Sequence, residues 1–363
     1  MAYDSLKLGI IGGLGLMASP MARHWKCSEF AKVLRVHDRG TKDERRDRCR
    51  AAWCDHGAEL VPTISEVVTG ADVDGVIICA GKNGDDLPVV SEVAKLLAES
   101  DLNGFICHLS TVSTGFAVAA EKYCRELGVT YVNYPLTGGP SGAESAKMLV
   151  LASGDRALYE RLEPALQQIG VPRYFGERVS AGAEVKLIGH LMVFSGMTGI
   201  ASAIAVHTEC FQNGVLGGEE QTAFFDFLNS GAGGTKQWDL FARVGIAENR
   251  WDAPFYISYA AVDAIYAAKL CIERGVSLLV IEPVINICLA YSYVLNEVGE
   301  GFATQAVVRE MIQQRASGLD AFLKRHWGPR GDAERCLANC IESLPKKYRS
   351  QVQLDLRAAD FNS

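Results

Sequence analysis

Over roughly the first 180 residues, short apolar runs alternate with amphipathic stretches, the pattern of βαβ units feeding a parallel sheet. The run Leu6-Lys7-Leu8-Gly9-Ile10-Ile11 reads as a buried strand, and further strands are expected at 33–37, 75–79, 104–109, 130–133 and 148–152. Helices are expected between them at 19–32, 87–99 and 115–127. Ser19-Pro20 suits the start of the first, because proline is tolerated in an opening helical turn. Beyond residue 180, β-branched runs give way to segments rich in Ala, Leu and Ile at helical spacing. Residues 183–213 predict one helix about 45 Å long at 1.5 Å per residue, closed by Asn213-Gly214. A helix of that length suits a spine joining two domains. Helices at 219–229, 256–274, 284–298 and 303–324 follow, with a peripheral helix in the remaining tail. The pattern therefore predicts an α/β domain over 1–180, an all-α domain over 181–330 that begins with the long helix, and a helical extension over 331–363.

The composition fits this picture: 363 residues make two domains the natural expectation, and 48% hydrophobic with 22% charged residues allows a large core. A formal charge of -7 argues against nucleic acid as a partner, which needs a basic face. Arg45-Arg46-Asp47-Arg48 is basic, but acids are interspersed and a solvated helix face accounts for it. Eleven cysteines form no CxxC pair and no metal-ligand spacing. Several sit in apolar runs (Cys79, Cys107, Cys288), where cysteine behaves as a small hydrophobe. Reduced thiols, no metal and a cytoplasmic location are expected. A strand and a glycine turn begin almost at once, so no signal peptide is expected. The most apolar later run, 276–295, is interrupted by Glu282, Pro283 and Asn286, so no membrane span is expected.

The turn Gly13-Leu14-Gly15-Leu16-Met17-Ala18 follows a strand and precedes a helix, giving G-x-G-x-x-A. The first glycine permits the tight turn, the second lets backbone approach a pyrophosphate, and a small third residue lets helix and strand pack closely. Backbone amides and the helix dipole then face the phosphates. Asp38 ends the second strand, where a carboxylate can bond both adenosine ribose hydroxyls. That acid favours NAD, since it would repel a 2′-phosphate by on the order of 4 kcal/mol per unit charge at 4 Å and dielectric 20. Arg39, Lys42 and Arg45 would instead clamp such a phosphate if Asp38 turned away, so NADP stays open. Strand, glycine turn and acid together predict that this α/β domain binds a dinucleotide.

Several spaced motifs resemble the β-hydroxyacid dehydrogenase family, which includes 3-hydroxyisobutyrate dehydrogenase. Gly13-Leu14-Gly15-Leu16-Met17-Ala18-Ser19-Pro20-Met21-Ala22 is similar to its G-L-G-x-M-G-x-P-M-A, and Ser110-Thr111-Val112-Ser113 to its S-T-V-S. Tyr134-Pro135-Leu136-Thr137-Gly138-Gly139-Pro140-Ser141-Gly142-Ala143 resembles the A-P-V-S-G-G-x-x-G-A substrate segment, and Gly182-Ala183-Glu184-Val185-Lys186 the G-x-x-x-K of the catalytic lysine. Asp263 falls where the family has Lys-Asp. The resemblance implies a Rossmann domain, an interdomain helix and an all-α domain for substrate and dimerisation. It also implies hydride transfer between nicotinamide and an alcohol or carbonyl carbon of a small-molecule substrate. Lys186 would exchange the proton, with His190 one turn later on the same face. Gly13, Leu14, Gly15, Leu16, Met17, Asp38, Arg39, Cys79 and Ser110 would hold the cofactor. Ser110, Thr137, Gly138, Gly139, Lys186, His190 and Asp263 would line the substrate. A homodimer or larger homo-oligomer is expected.

Two departures bear on substrate. His190 stands where the family has Asn, and can orient substrate or share proton transfer. Val262 replaces the family's second lysine, which argues for an atypical substrate. Two alternatives remain: an imine reductase on the same scaffold, which Lys186 opposes, and a non-catalytic dinucleotide-binding interaction protein.

Overall fold

A computed structural model describes residues 5–40, 43–70, 72–80, 86–100, 104–252, 255–329 and 331–356. Lys42 lies outside them. The chain packs as two units, 1–186 with 353–363 and 187–352.

In the first unit, β1 (Leu6–Ile11), β2 (Ala31–His37), β3 (Glu59–Leu60), β4 (Gly75–Ile78), β5 (Phe105–His108) and β6 (Thr130–Asn133) form a parallel sheet in the order β3-β2-β1-β4-β5-β6. Successive side chains enter opposite cores, as the two-residue period of a strand requires. Ile77, Phe105 and Cys107 join Trp25 and Trp53 on one face, while Val76, Ile78 and Ile106 join Val90 and Phe116 on the other. Burial on both faces explains why these strands read as unbroken apolar runs. Strand order reverses between β1 and β4, and a doubly wound sheet opens a crevice at the carboxyl ends of such strands. A second, smaller sheet holds β7 (Leu136–Thr137), β8 (Met148–Ala152) and β9 (Gly170–Tyr174).

The helix expected at 19–32 is only Met21–His24. The chain leaves the helix at Trp25, whose indole donates to the Ala165 carbonyl at 2.8 Å. Strand β2 then starts two residues earlier than expected. A four-residue helix carries little macrodipole, so the expected dipole contribution at the glycine turn is weak.

The second unit is helical. Helix Ala181–Phe211 crosses into it and is closed by Asn213 and Gly214, both at positive φ, with the Gly214 amide donating to the Thr208 carbonyl at 3.0 Å. Helices Glu219–Asn229, Ile257–Glu273 and Leu278–Tyr293 follow. The single helix expected at 303–324 is instead Thr304–Ala306, Val307–Glu310 and Gln313–His326. The break buries Ile312 in extended backbone, and Glu209 accepts the Gln313 amide at 2.9 Å. Residues 331–352, the greater part of the expected C-terminal helical extension, pack in this unit. Cys336, Leu337 and Cys340 of helix Ala333–Ser343 are buried, and the Cys340 thiol donates to the Ile285 carbonyl. Helix Lys346–Leu356 carries the chain back to the first unit, where Ser113 donates to the Asp355 carbonyl.

Two helices, Ala181–Phe211 and Leu278–Val298, are long and apolar enough to cross a membrane. The polar interruptions at Glu282, Pro283 and Asn286 therefore do not lower the second below that threshold. Its most apolar window is 67% buried, as in the core helix of a helical bundle.

Candidate active site

Three side chains brace the glycine turn after β1. The Trp53 indole donates to the Gly13 carbonyl at 2.8 Å, Arg45 to the Leu14 carbonyl at 2.9 Å, and the Asp38 carboxylate accepts the Leu14 amide at 3.0 Å. The other Asp38 oxygen accepts the Gly40 amide at 2.7 Å. Asp38, expected as a ribose ligand, is thus first a clamp on the turn, and Arg39 is exposed beside it. Sequence reasoning missed Gly12: its φ is 83°, and a Cβ there would meet the Cys79 carbonyl oxygen at 2.5 Å. The doubled glycine Gly12-Gly13 was the available signal. At Gly13 a Cβ would strike Val36 at 2.4 Å, so this glycine serves packing against β2.

A dinucleotide fits this turn. Among the described residues, nothing in the protein accepts the Leu16 or Met17 amides, which leaves two backbone donors beside the crevice for phosphate oxygens. Cys79 directly follows the adjacent strand β4, and burial, reinforced by Asp86 and Asp38, pushes its thiol up to about 12. It therefore stays protonated and contributes shape and backbone rather than a thiolate.

Beyond β5, Ser110 donates its hydroxyl to the Ala80 carbonyl, while Asn133 donates to the carbonyls of His108 at 2.9 Å and Ser110 at 3.1 Å. Below this loop lies a buried chain that sequence reasoning missed. His108 Nε2 sits 2.8 Å from Asp86 Oδ1, and its Nδ1 sits 2.9 Å from the Tyr131 hydroxyl. In the neutral tautomer that turns an Nε2 proton to the carboxylate, Nδ1 accepts and the Tyr131 hydroxyl donates. Burial raises the Tyr131 phenol well above its usual range, consistent with a permanent donor. The chain ties the first residue of helix Asp86–Glu99 to the strand that delivers Ser110.

Thr137 ends β7, and Gly138 and Gly139 follow at φ 125° and 66°, which glycine adopts at little cost. Their amide-rich turn opens helix Gly139–Glu144. Helix Ala181–Phe211 is seated through Gly182, whose amide donates to Ser153 Oγ at 2.8 Å while Ser153 donates to the Val179 carbonyl at 3.0 Å. A Cβ on Gly182 would meet the Leu151 carbonyl oxygen at 2.3 Å, so only glycine lets the helix start this close to β8. One turn on, Lys186 is 8% exposed. A buried ammonium is costly to desolvate and is retained where its charge is used.

In the second unit, His190 and Asp263 meet: Nδ1 lies 3.4 Å from Oδ2, and both side chains are buried. The Phe194 and Phe255 rings stand 5.4 and 6.1 Å from the imidazole. The structure thus gathers Gly13 to Met17, Asp38 and Cys79 in one place and pairs His190 with Asp263 in another.

Residues 7–196 match the family model described as the NAD binding domain of 6-phosphogluconate dehydrogenase. The chain is 25% identical over 206 residues to 2-(hydroxymethyl)glutarate dehydrogenase of Eubacterium barkeri, covering 57% of this chain and 65% of that protein. It is 24% identical over 216 residues to the chloroplast glyoxylate/succinic semialdehyde reductase 2 of Arabidopsis thaliana, covering 55% and 53%. The chain thus spans less than two thirds of either relative. Its fold is that of 3-hydroxyisobutyrate dehydrogenase from Salmonella typhimurium, with a TM-score of 0.69 at 19% identity over 84% of this chain and 99% of that one.

Proposed function

The chain belongs to the 6-phosphogluconate dehydrogenase family of NAD-binding proteins, and from that premise we propose an NAD(P)-dependent oxidoreductase interconverting a hydroxy acid and its carbonyl counterpart. Bound nicotinamide dinucleotide supplies or accepts the hydride. Leu16 and Met17 would bind its pyrophosphate through their amides, with Asp38 and Arg39 at the adenosine ribose. Ser110, Thr137 and the Gly138-Gly139 backbone would hold polar groups of the substrate. Lys186 would hydrogen-bond the carbonyl oxygen and give it a proton during reduction, or take the alcohol proton during oxidation. Burial of Lys186 at the seated end of the long helix carries this reading. The names of the two relatives support an acid bearing an alcohol or aldehyde.

Lys186→Ala should lower turnover of succinic semialdehyde several hundredfold, the scale of losing one preorganised donor of about 3–4 kcal/mol. Cofactor affinity, followed by nicotinamide fluorescence, should hardly change. Normal turnover in that variant refutes the assignment.

A second copy of the chain is the proposed partner. Ile188, Met192 and Val206 on the long helix are 53%, 74% and 63% exposed, and an interval of 18 residues is five full turns, placing the first and last on one face. Light scattering tests this, and a monomer at micromolar concentration refutes it.

A further inference from the structure

The loop after β5 carries Ser110, and Leu109, Thr111, Val112 and Ser113 around it are buried. Its near end is held by two contacts: Asn133 donates to the Ser110 carbonyl at 3.1 Å, and Ser110 donates to the Ala80 carbonyl. Its far end is held at Ser113. This residue caps helix Thr114–Glu126, where its hydroxyl accepts the Phe116 amide at 3.1 Å. The same hydroxyl donates to the Asp355 carbonyl at 3.3 Å, 242 positions further along the chain.

A hydroxyl has one proton and two lone pairs, so it can accept at one helix end while donating at another. Asp355 is the penultimate residue of helix Lys346–Leu356, where carbonyls have no partner inside the helix. Partial positive charge at the start of one helix therefore meets partial negative charge at the end of the other. The Asp355 side chain is 1% exposed, so residues 353–356 are packed into the first unit rather than laid over it. Burial, with the Asp86 and Asp355 carboxylates adding to it, keeps the Tyr131 phenol protonated. The segment thus adjoins the His108 chain that precedes Ser110.

We propose that Ser113 is a positioning residue: its bond to Asp355 lets residues 353–356 hold the loop where Ser110 meets cofactor and substrate. The role rests on the assignment of Ser110 above. The helical tail then serves the cofactor-binding unit by fixing a loop, without touching a ligand itself.

Two variants of the full chain separate capping from positioning. Ser113→Asp keeps the capping acceptor but cannot donate to the Asp355 carbonyl, whereas Ser113→Thr keeps both. Ser113→Asp should raise KM for succinic semialdehyde about three- to tenfold, the worth of one hydrogen bond, with a smaller effect on kcat. Ser113→Thr should match the wild type. A lower urea midpoint in Ser113→Asp with KM unchanged would show a bond that only stabilises the fold, and overturns the proposal. Ser110→Ala distinguishes the underlying assignment. If it leaves KM unchanged, the role of Ser110 fails; if it raises KM while Ser113→Asp does not, the positioning role fails. Hydrogen exchange of the wild-type chain adds a readout without turnover. Coupling is reciprocal, so a loop setting that favours the cofactor is favoured by it, and NADH should slow exchange of the 353–356 amides severalfold. Exchange indifferent to NADH overturns the proposal, and this arm decides should Ser113→Asp fail to fold.

Discussion

Replacing Asp38 with alanine removes two hydrogen bonds at once, to the Leu14 amide at 3.0 Å and the Gly40 amide at 2.7 Å. A hydrogen bond to a charged group contributes about 1.5–3 kcal/mol net when buried. Asp38 is half-buried, so solvent screening reduces each to about 1 kcal/mol, or about 2 kcal/mol together. If that energy keeps the turn in its binding shape, NAD affinity falls about thirtyfold, and a lost ribose contact adds to the deficit. For NADP the same loss is partly offset, because a carboxylate repulsive toward the 2′-phosphate has gone. Fluorescence titration of Asp38→Ala with both reduced cofactors should therefore show NADH weakened by a factor of about thirty or more. NADPH should weaken less, with Arg39 and Arg45 left to meet the phosphate. Unchanged NADH affinity would show that Asp38 neither braces the turn nor meets the ribose.

Tyr131→Phe keeps the ring but leaves His108 Nδ1 without its donor in a fully buried place, so stability should drop by about 1–3 kcal/mol in urea unfolding. A change below about 0.5 kcal/mol would show that the Asp86–His108–Tyr131 chain is not a stabilising network. His56 supplies a pH test: its Nε2 accepts the Val33 amide at 3.1 Å, and burial lowers it below the ordinary 6.5 despite the opposing Ala22 carbonyl. The unfolded chain then binds the proton more readily than the fold. Its stability contribution is full above pH 6.5 and is lost as pH falls from there through the lower folded-state value. His207 and His326 shift the same way. The unfolding temperature should therefore fall between pH 8 and pH 5.5, less steeply in His56→Gln; equal slopes would rule out the His56 contribution.

Much of the sheet was legible because its determinants are local. β6 and β8 have the expected limits, and β4 and β5 differ from expectation by a residue at one or both ends. Strands buried on both faces need uninterrupted apolar runs, and those runs stand out from the flanking polar residues. The two-residue strands β3 and β7 carry no such signal, since pairing with a neighbour defines them. β9 was missed for a related reason: its exposed positions and internal Pro172 break the apolar pattern, and only the partner β8 makes it a strand. Helix Met21–His24 was overestimated because helical spacing continues past Pro20, while the destination of Trp25 is set by Ala165, 140 residues away.

The site divides along the same line. Sequence alone determined the glycine turn, the acid after β2, the paired glycines after β7 and the lysine near the start of a long helix. Each of these depends on the order of a few neighbouring residues and on backbone conformations that few side chains permit. Tertiary structure alone decided what holds them: Trp53 and Arg45 on the turn, Ser153 under Gly182, Tyr131 and Asp86 on His108, and Asp263 on His190. Those partners stand between 22 and 73 positions apart, with Gly182 and Ser153 separated by 29. Hydrogen bonds and ion pairs act over a few ångströms of space, so a chain that must fold to bring such groups together carries no local mark of the pairing.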